Sequence, residues 1–143
     1  MPAAPKDPLE LLLGYHVRRL SVLVMSDLSE SLAPHRLSAA DASILLWIGA
    51  RPGITQSEVG RSLGILRANM APLVGALTSR GLITRTRVDG RSQALSLSSS
   101  GEALSQTVKT LIKDHEDRMF GSLTKAERQK LAVILARLWQ PRQ

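Results

Sequence analysis

Seven arginines fall between positions 51 and 91 (Arg51, Arg61, Arg67, Arg80, Arg85, Arg87 and Arg91), with no lysine among them and only Glu58 and Asp89 in opposition. That interval carries a net +5, against +2 for the remainder of a chain whose formal charge is +7. A guanidinium donates hydrogen bonds in a fixed fork, which suits phosphate oxygens and the O6/N7 edge of guanine. An arginine-only cluster therefore points to nucleic acid more than to simple solvation. Asn69 lies in the same interval, and its amide matches the N6/N7 edge of adenine.

Chemistry of this kind needs a scaffold that can enter a groove. Thr55-Gln56-Ser57-Glu58 is a capping box opening a helix over about 56–63. Gly64 supplies a turn, and a second helix runs to about Ser79 before Gly81 stops it. Leu82–Val88 then alternates like a strand, Asp89-Gly90 suits a two-residue hairpin turn, and Ser92–Leu97 returns. Pairing about that turn sets Leu82, Thr84, Leu95 and Leu97 on one face and sends Arg85 and Arg87 from the other. Helix, turn, helix, hairpin is the order that places the second helix in the major groove.

Pro72 is the discordant residue. If the second helix starts near Leu66, Pro72 is interior and costs about 3 kcal/mol. If Asn69 caps a later start, Pro72 falls in the first turn. A kink or a late start is expected.

The flanks read as helices. Asp7-Pro8-Leu9-Glu10 is a helix start leading to about Leu32, after a loose tail over residues 1–6. Ser38 caps a helix over about 39–50, with Ile44, Leu45 and Ile48 on its apolar side. Ser98 to Glu102 opens another, carrying Leu104, Val108, Leu111, Ile112 and His115, and Leu123-Thr124 to Glu127 starts the last. The expected fold is mainly α with a small β wing: one domain over 1–143, a winged helix-turn-helix at 38–98, and flanking helices at 8–32 and 99–140.

Composition narrows the chemistry further. At 143 residues the chain suffices for one cored domain. It has no cysteine, so disulfides and thiol redox sensing are excluded. Three scattered histidines without clustered carboxylates suggest neither metal nor cofactor. No Ser-His-Asp set, carboxylate pair or phosphate-cradling glycine loop marks an enzyme. No apolar run spans a membrane and no signal peptide is evident, so a cytoplasmic protein is expected.

Leu37-Ser38, Leu45-Leu46, Gly53 to Glu58, Arg80 to Arg85, Asp89-Gly90-Arg91 and Leu95 to Ser98 with Gly101 together resemble the MarR (multiple antibiotic resistance regulator) family. The resemblance covers about residues 37–104. It implies a homodimer paired through the first and last two helices, binding a pseudo-palindromic DNA operator, as a repressor released by a small molecule. It also implies that Asp89 orients Arg91 into the minor groove, whose narrow form concentrates negative potential. Arg67 and Asn69 are the expected base readers; alternatively Arg67 meets only phosphate and Asn69 caps. Ala68 and Met70 offer apolar contact to thymine methyls, or Met70 packs in the core. Arg85 and Arg87 belong to the wing, and Thr55, Gln56 and Ser57 are candidate phosphate donors at a helix N-terminus. Pro72 departs from the family, which more often has a polar or basic residue there. The family's effector pocket would draw on Tyr15, His16, Arg19, His35, Trp47 and His115, suited to a small aromatic acid or its thioester. The competing reading is a winged-helix architectural or protein-interaction module with no effector.

Overall fold

The computed structural model describes residues 7–140; the expected tail over 1–6 lies outside them. The order is α1 (Leu13–Leu32), one 3-10 turn (Ala33–His35), α2 (Ala39–Ala50), β1 (Ile54–Thr55), α3 (Gln56–Leu63), α4 (Arg67–Ser79), β2 (Ile83–Arg87), β3 (Gln93–Leu97), α5 (Ser99–Phe120) and α6 (Lys125–Trp139). Capping boxes open α2, α3 and α6: Ser38 with Asp41, Thr55 with Glu58, Thr124 with Glu127. Each hydroxyl accepts an N–H that the first turn leaves open, a cap worth about 1 kcal/mol. Ser98 caps α5 by accepting the N–H of Gly101. Gly64 ends α3 at φ 67°, a left-handed conformation that lets α4 turn away.

Ile44, Leu45 and Ile48 of α2 stand at the centre of the core, against Val59, Met70, Val74, Leu77 and Leu95. Each such side chain, taken fully from water, contributes about 1.5–3 kcal/mol. The flanking helices behave differently. α1 buries only Leu32, and α6 buries none of its residues. Val22 and Leu23 on α1, with Val133, Leu138 and Trp139 on α6, stay exposed, Leu138 at 72% and Trp139 at 71%. Large apolar side chains left open to this extent are a feature of surfaces that meet a partner.

The α1 start differs from expectation. The Asp7 carboxylate accepts the Leu9 N–H and closes only a short turn, so α1 begins at Leu13 with Leu12 as an uncapped N-cap. The other Asp7 oxygen receives the Tyr15 hydroxyl at 2.8 Å, and the His16 ring meets the Glu10 carbonyl. These bonds fold the Asp7 turn back on the helix, which prevents it from continuing the helix.

A late start for α4 does not occur either. Leu66 is the N-cap, Asn69 sits one turn into the helix, and Pro72 is interior. The Leu66 carbonyl already receives the N–H groups of Asn69 and Met70, and the Met70 side chain is buried, which anchors that first turn to the core. Pro72 has no N–H to offer the Ala68 carbonyl, and both residues are exposed.

The sheet runs β1-β3-β2, all antiparallel. β1, two residues pairing Ile54 with Leu95 and Thr55 with Ala94, is not expected from the sequence. The wing register also differs by one residue. Its pairs are Ile83–Leu97, Thr84–Ser96, Arg85–Leu95, Thr86–Ala94 and Arg87–Gln93, which leaves a three-residue tip, Asp89-Gly90-Arg91. The cause is the Asp89 carboxylate, whose Oδ1 accepts the N–H groups of both Arg91 and Ser92 at 2.8 Å. Arg91 is thereby drawn into the tip, and Val88 donates to the Ser92 carbonyl. A one-residue slip exchanges the faces of a strand. Arg85 and Arg87 therefore share the face of Leu95 and Leu97, and Thr84 moves to the other.

Candidate nucleic-acid interface

The first turn of α3, the first half of α4 and the inner face of the wing surround a groove of about 510 Å³. Of the residues expected to meet DNA, Thr55, Gln56, Ser57, Arg67, Arg85 and Arg91 line it. Ala68, Asn69, Arg87 and Asp89 lie beyond its wall and are exposed on α4 and the wing. Arg61, Ala71 and Gln93 also line it but carry no individual signal in the sequence, although Arg61 belongs to the arginine cluster. Met70 touches the floor of the groove from a buried position, so it serves the core.

Among the described residues the groove's cations have no carboxylate partners. All four ion pairs among the described residues lie in the flanking helices, joining Lys113 and Arg128 to Asp117, and His115 and Arg118 to Asp27. None involves Arg61, Arg67, Arg85, Arg87 or Arg91. Arg85 does make neutral contacts: its Nε donates to Thr78 Oγ1 of α4 at 3.3 Å, and a terminal nitrogen to Gln93 Oε1 at 3.4 Å. It spans from wing to α4 beside Gly75, where a Cβ would come within 3.8 Å of it.

Three further contacts set the shape of this surface. The Thr55 hydroxyl is committed to Glu58, both accepting its N–H and donating to its carboxylate, which leaves Gln56 and Ser57 as the freer polar groups there. Bonds from the Thr55 N–H and hydroxyl hold the Glu58 carboxyl below its usual pKa. Asp89 is likewise held low by the backbone N–H groups of Arg91 and Ser92. Its grip on Arg91 is through the main chain, and the side chain of Arg91 lines the groove. At the far end of α4, the Arg80 guanidinium donates to the carbonyls of Arg36 and His35 at 2.8 and 2.9 Å. This ties α4 to the joint between α1 and α2, where Arg36 has a left-handed φ of 53°.

The candidate effector residues are dispersed. Tyr15, His16 and Arg19 meet at the start of α1, with the guanidinium carbons of Arg18 and Arg19 each 5.8 Å from the Tyr15 ring centre. A shallow hollow of about 260 Å³ lies there, lined by Leu9, Leu12, Gly14, Tyr15 and Arg18. His35 is half-buried in the 3-10 turn, and Trp47 packs half-buried against the core. His115 is 3% exposed, its Nδ1 2.7 Å from Asp27 Oδ2. Neither the groove nor the hollow includes these last three. Among the described residues no group of His, Asp or Glu is arranged to hold a metal ion, and no helix is long and apolar enough to cross a membrane.

Residues 37–92 match the family model of the MarR family. The chain superposes on the transcriptional repressor CouR bound to a 23-mer DNA duplex with a TM-score of 0.87 and 37% identity, covering 96% of this chain and 99% of that one. It is also similar to CouR bound to p-coumaroyl-CoA, with a TM-score of 0.82 and 35% identity over 96% of this chain and 99% of the other. The HTH-type transcriptional repressor Rv2887 of Mycobacterium tuberculosis (strain ATCC 25618 / H37Rv) is 23% identical over 128 residues, 88% of this chain and 92% of that protein. These relatives are transcriptional regulators and not enzymes. With 37% identity across nearly the full length of both chains, and with the winged helix-turn-helix in place, the chain belongs to the MarR family of transcriptional regulators.

Proposed function

We propose that this protein is a homodimeric, sequence-specific DNA-binding repressor released by a small aromatic acyl thioester or the corresponding acid. The observation that carries the reading is the groove itself: Arg61, Arg67, Arg85 and Arg91 converge on it with no carboxylate paired to any of them. In this reading α4 enters the major groove, with Arg67 and Asn69 nearest the bases and Ala68 against a thymine methyl. Arg91, fixed by Asp89, enters the adjacent minor groove, Arg85 and Arg87 meet the backbone, and Gln56 and Ser57 donate to phosphate. The exposed apolar side chains of α1 and α6 support pairing of two such chains, which would set the distance between two readers.

The effector part of the proposal rests on different ground. A relative of 35% identity is bound to p-coumaroyl-CoA. The Tyr15 ring flanked by Arg18 and Arg19 offers the aromatic face and cations that such an anionic thioester needs. Duplex binding is measured for the wild type and Arg91→Ala, each with and without p-coumaroyl-CoA. The expected result is tight, salt-sensitive binding by the wild type, weaker binding by the variant at unchanged fold, and release by the thioester. Binding indifferent to DNA sequence would indicate an architectural module, and binding indifferent to the thioester would remove the effector assignment.

A further inference from the structure

The corner Arg80-Gly81-Leu82, where α4 turns into β2, is held from both sides by the flanking helices. On one side the Arg80 guanidinium donates through its two terminal nitrogens to the carbonyls of Arg36 and His35, at 2.8 and 2.9 Å. Those carbonyls close the end of α1 and its 3-10 turn, and neither receives a backbone N–H among the described residues. Helix ends leave such carbonyls unpaired and slightly negative, so a planar guanidinium fork can cap two of them at once. Arg36 itself holds a φ of 53°, which a residue with a Cβ keeps only where its surroundings fix it. On the other side, the Ser98 and Ser100 hydroxyls at the start of α5 donate to the Gly81 carbonyl. The Ser98 N–H donates to the Leu82 carbonyl at 3.0 Å. α1 and α5 are in turn joined to each other, because Asp27 takes the Arg118 guanidinium and the His115 ring, and Arg118 also donates to Ser31. The corner, α1 and α5 thus close one polar circuit.

α4 otherwise packs on α3 and β2, elements of the same winged helix. Its remaining side-chain hydrogen bonds, among the described residues, run from Thr78 to Val74 and from Arg85 to Thr78. Arg80 is half-buried and does not line the groove, and its fork is spent on two carbonyls. α4 has 13 residues, so it is about 20 Å long at the helical rise. A tilt of about 10° about the Arg80 end would carry Arg67, at the far end, by about 3 Å, close to one base-pair step. We propose that Arg80 is a positioning residue: by fastening α4 to the end of α1 it fixes the spacing at which two paired readers meet DNA, without touching DNA itself. The inference rests on the dimeric DNA-binding reading above and adds the residue that sets its geometry.

The test uses a duplex enriched by the wild-type protein from a random pool, a half-site duplex cut from it, and two forms with the half-sites moved apart or together by about one base pair. Affinity is measured for wild type, Arg80→Met and Arg80→Lys, with helix content and sedimentation mass checked for each. Arg80→Met keeps a long stem and loses both donors. It should bind the half-site duplex as wild type does, with the same salt dependence, and the full duplex about ten-fold more weakly. Its preference for the native spacing over the shifted forms should fall by a similar factor. Arg80→Lys keeps the charge but cannot bridge both carbonyls as a fork, so it should show the same selective loss, and it carries the test if Arg80→Met does not fold. An equal loss on half-site and full duplexes overturns the positioning role, since a weakened fold or a lost DNA contact acts on each reader alone. A lost phosphate contact would also lower the salt slope by about 0.9. Unchanged affinity on every duplex overturns the role as well, as does loss of fold in both variants, which would make the tie a structural support. A wild-type protein that binds the full duplex no better than the half-site overturns the paired reading on which the role depends.

Discussion

Asp89 puts a negative charge at the tip of a wing that, in the proposed reading, meets a polyanion. On charge alone, removing it should tighten DNA binding. The hydrogen bonds point the other way, because its Oδ1 holds the N–H groups of Arg91 and Ser92, each at 2.8 Å, and these two bonds set the three-residue tip. In Asp89→Ala the tip opens and the Arg91 backbone must be re-ordered whenever DNA binds. Fixing one residue's backbone costs about 1–2 kcal/mol, so affinity falls about ten-fold per wing and about a hundred-fold for two wings. Asp89→Asn drops the charge but keeps an oxygen acceptor at the same place, and should bind within about three-fold of wild type. Arg91→Ala weakens binding as well and lowers the slope of log affinity against log salt by about 0.9 for each phosphate that is no longer neutralised. Fluorescence anisotropy on one labelled duplex over a salt series separates the three variants. If Asp89→Ala bound as tightly as Asp89→Asn, or more tightly than wild type, the tip hydrogen bonds would not be what positions Arg91.

Other perturbations reach the scaffold. A Cβ at Gly101 would overlap the carbonyl oxygen of Leu82 and stand 3.0 Å from its carbon, so Gly101→Ala should cost about 3 kcal/mol or more, read as a lower denaturant midpoint. A midpoint within about 0.5 M of wild type would contradict that close approach of α5 to the wing's root. Asp27, bonded first by Arg118 and then by His115, has its pKa lowered from 3.8 to about 2. Its charged form is favoured by folding, so its contribution is present above pH 3.8 and is lost as pH falls toward 2. Asp27→Asn should therefore be the less stable protein at about pH 6, with the gap to wild type closing in acid; a constant gap across urea melts at both ends of that range refutes the linkage. Val22→Asp with Leu138→Asp alters side chains that are 64% and 72% exposed in the single chain, so the fold should survive while the sedimentation mass drops to that of a monomer. Retention of a dimer mass would place the interface elsewhere.

Features fixed by neighbours in sequence are legible, and those fixed across the fold are not. Ser38, Thr55 and Thr124 are identifiable as caps because a capping box spans only four residues, and each box is present. Gly64 is likewise readable as a turn, since its left-handed conformation answers to a local constraint. Asp89-Gly90 suggests a two-residue turn, but the Asp89 side chain recruits Arg91 into the tip and shifts every pair of the wing. β1 is too short to show any alternation and exists because Leu95 and Ala94 offer it an edge. Gly101 reads as part of a helix start, whereas its position is set by the backbone of Leu82. The bonds from Arg80 to His35 and from His115 to Asp27 join positions 45 and 88 residues apart, beyond the reach of periodicity or spacing. The arginine cluster is visible as charge, yet only the fold brings Arg61 from α3 and Arg91 from the wing to one groove.

The most direct measurement of the central claim is selection of duplexes from a random pool by the wild-type protein at physiological salt. In the proposed dimer, two readers held by paired flanking helices should enrich a pseudo-palindrome whose half-site centres lie about 10 base pairs apart. Enrichment of a single unpaired half-site, or of no sequence at all, would contradict a dimeric reader built on α3, α4 and the wing.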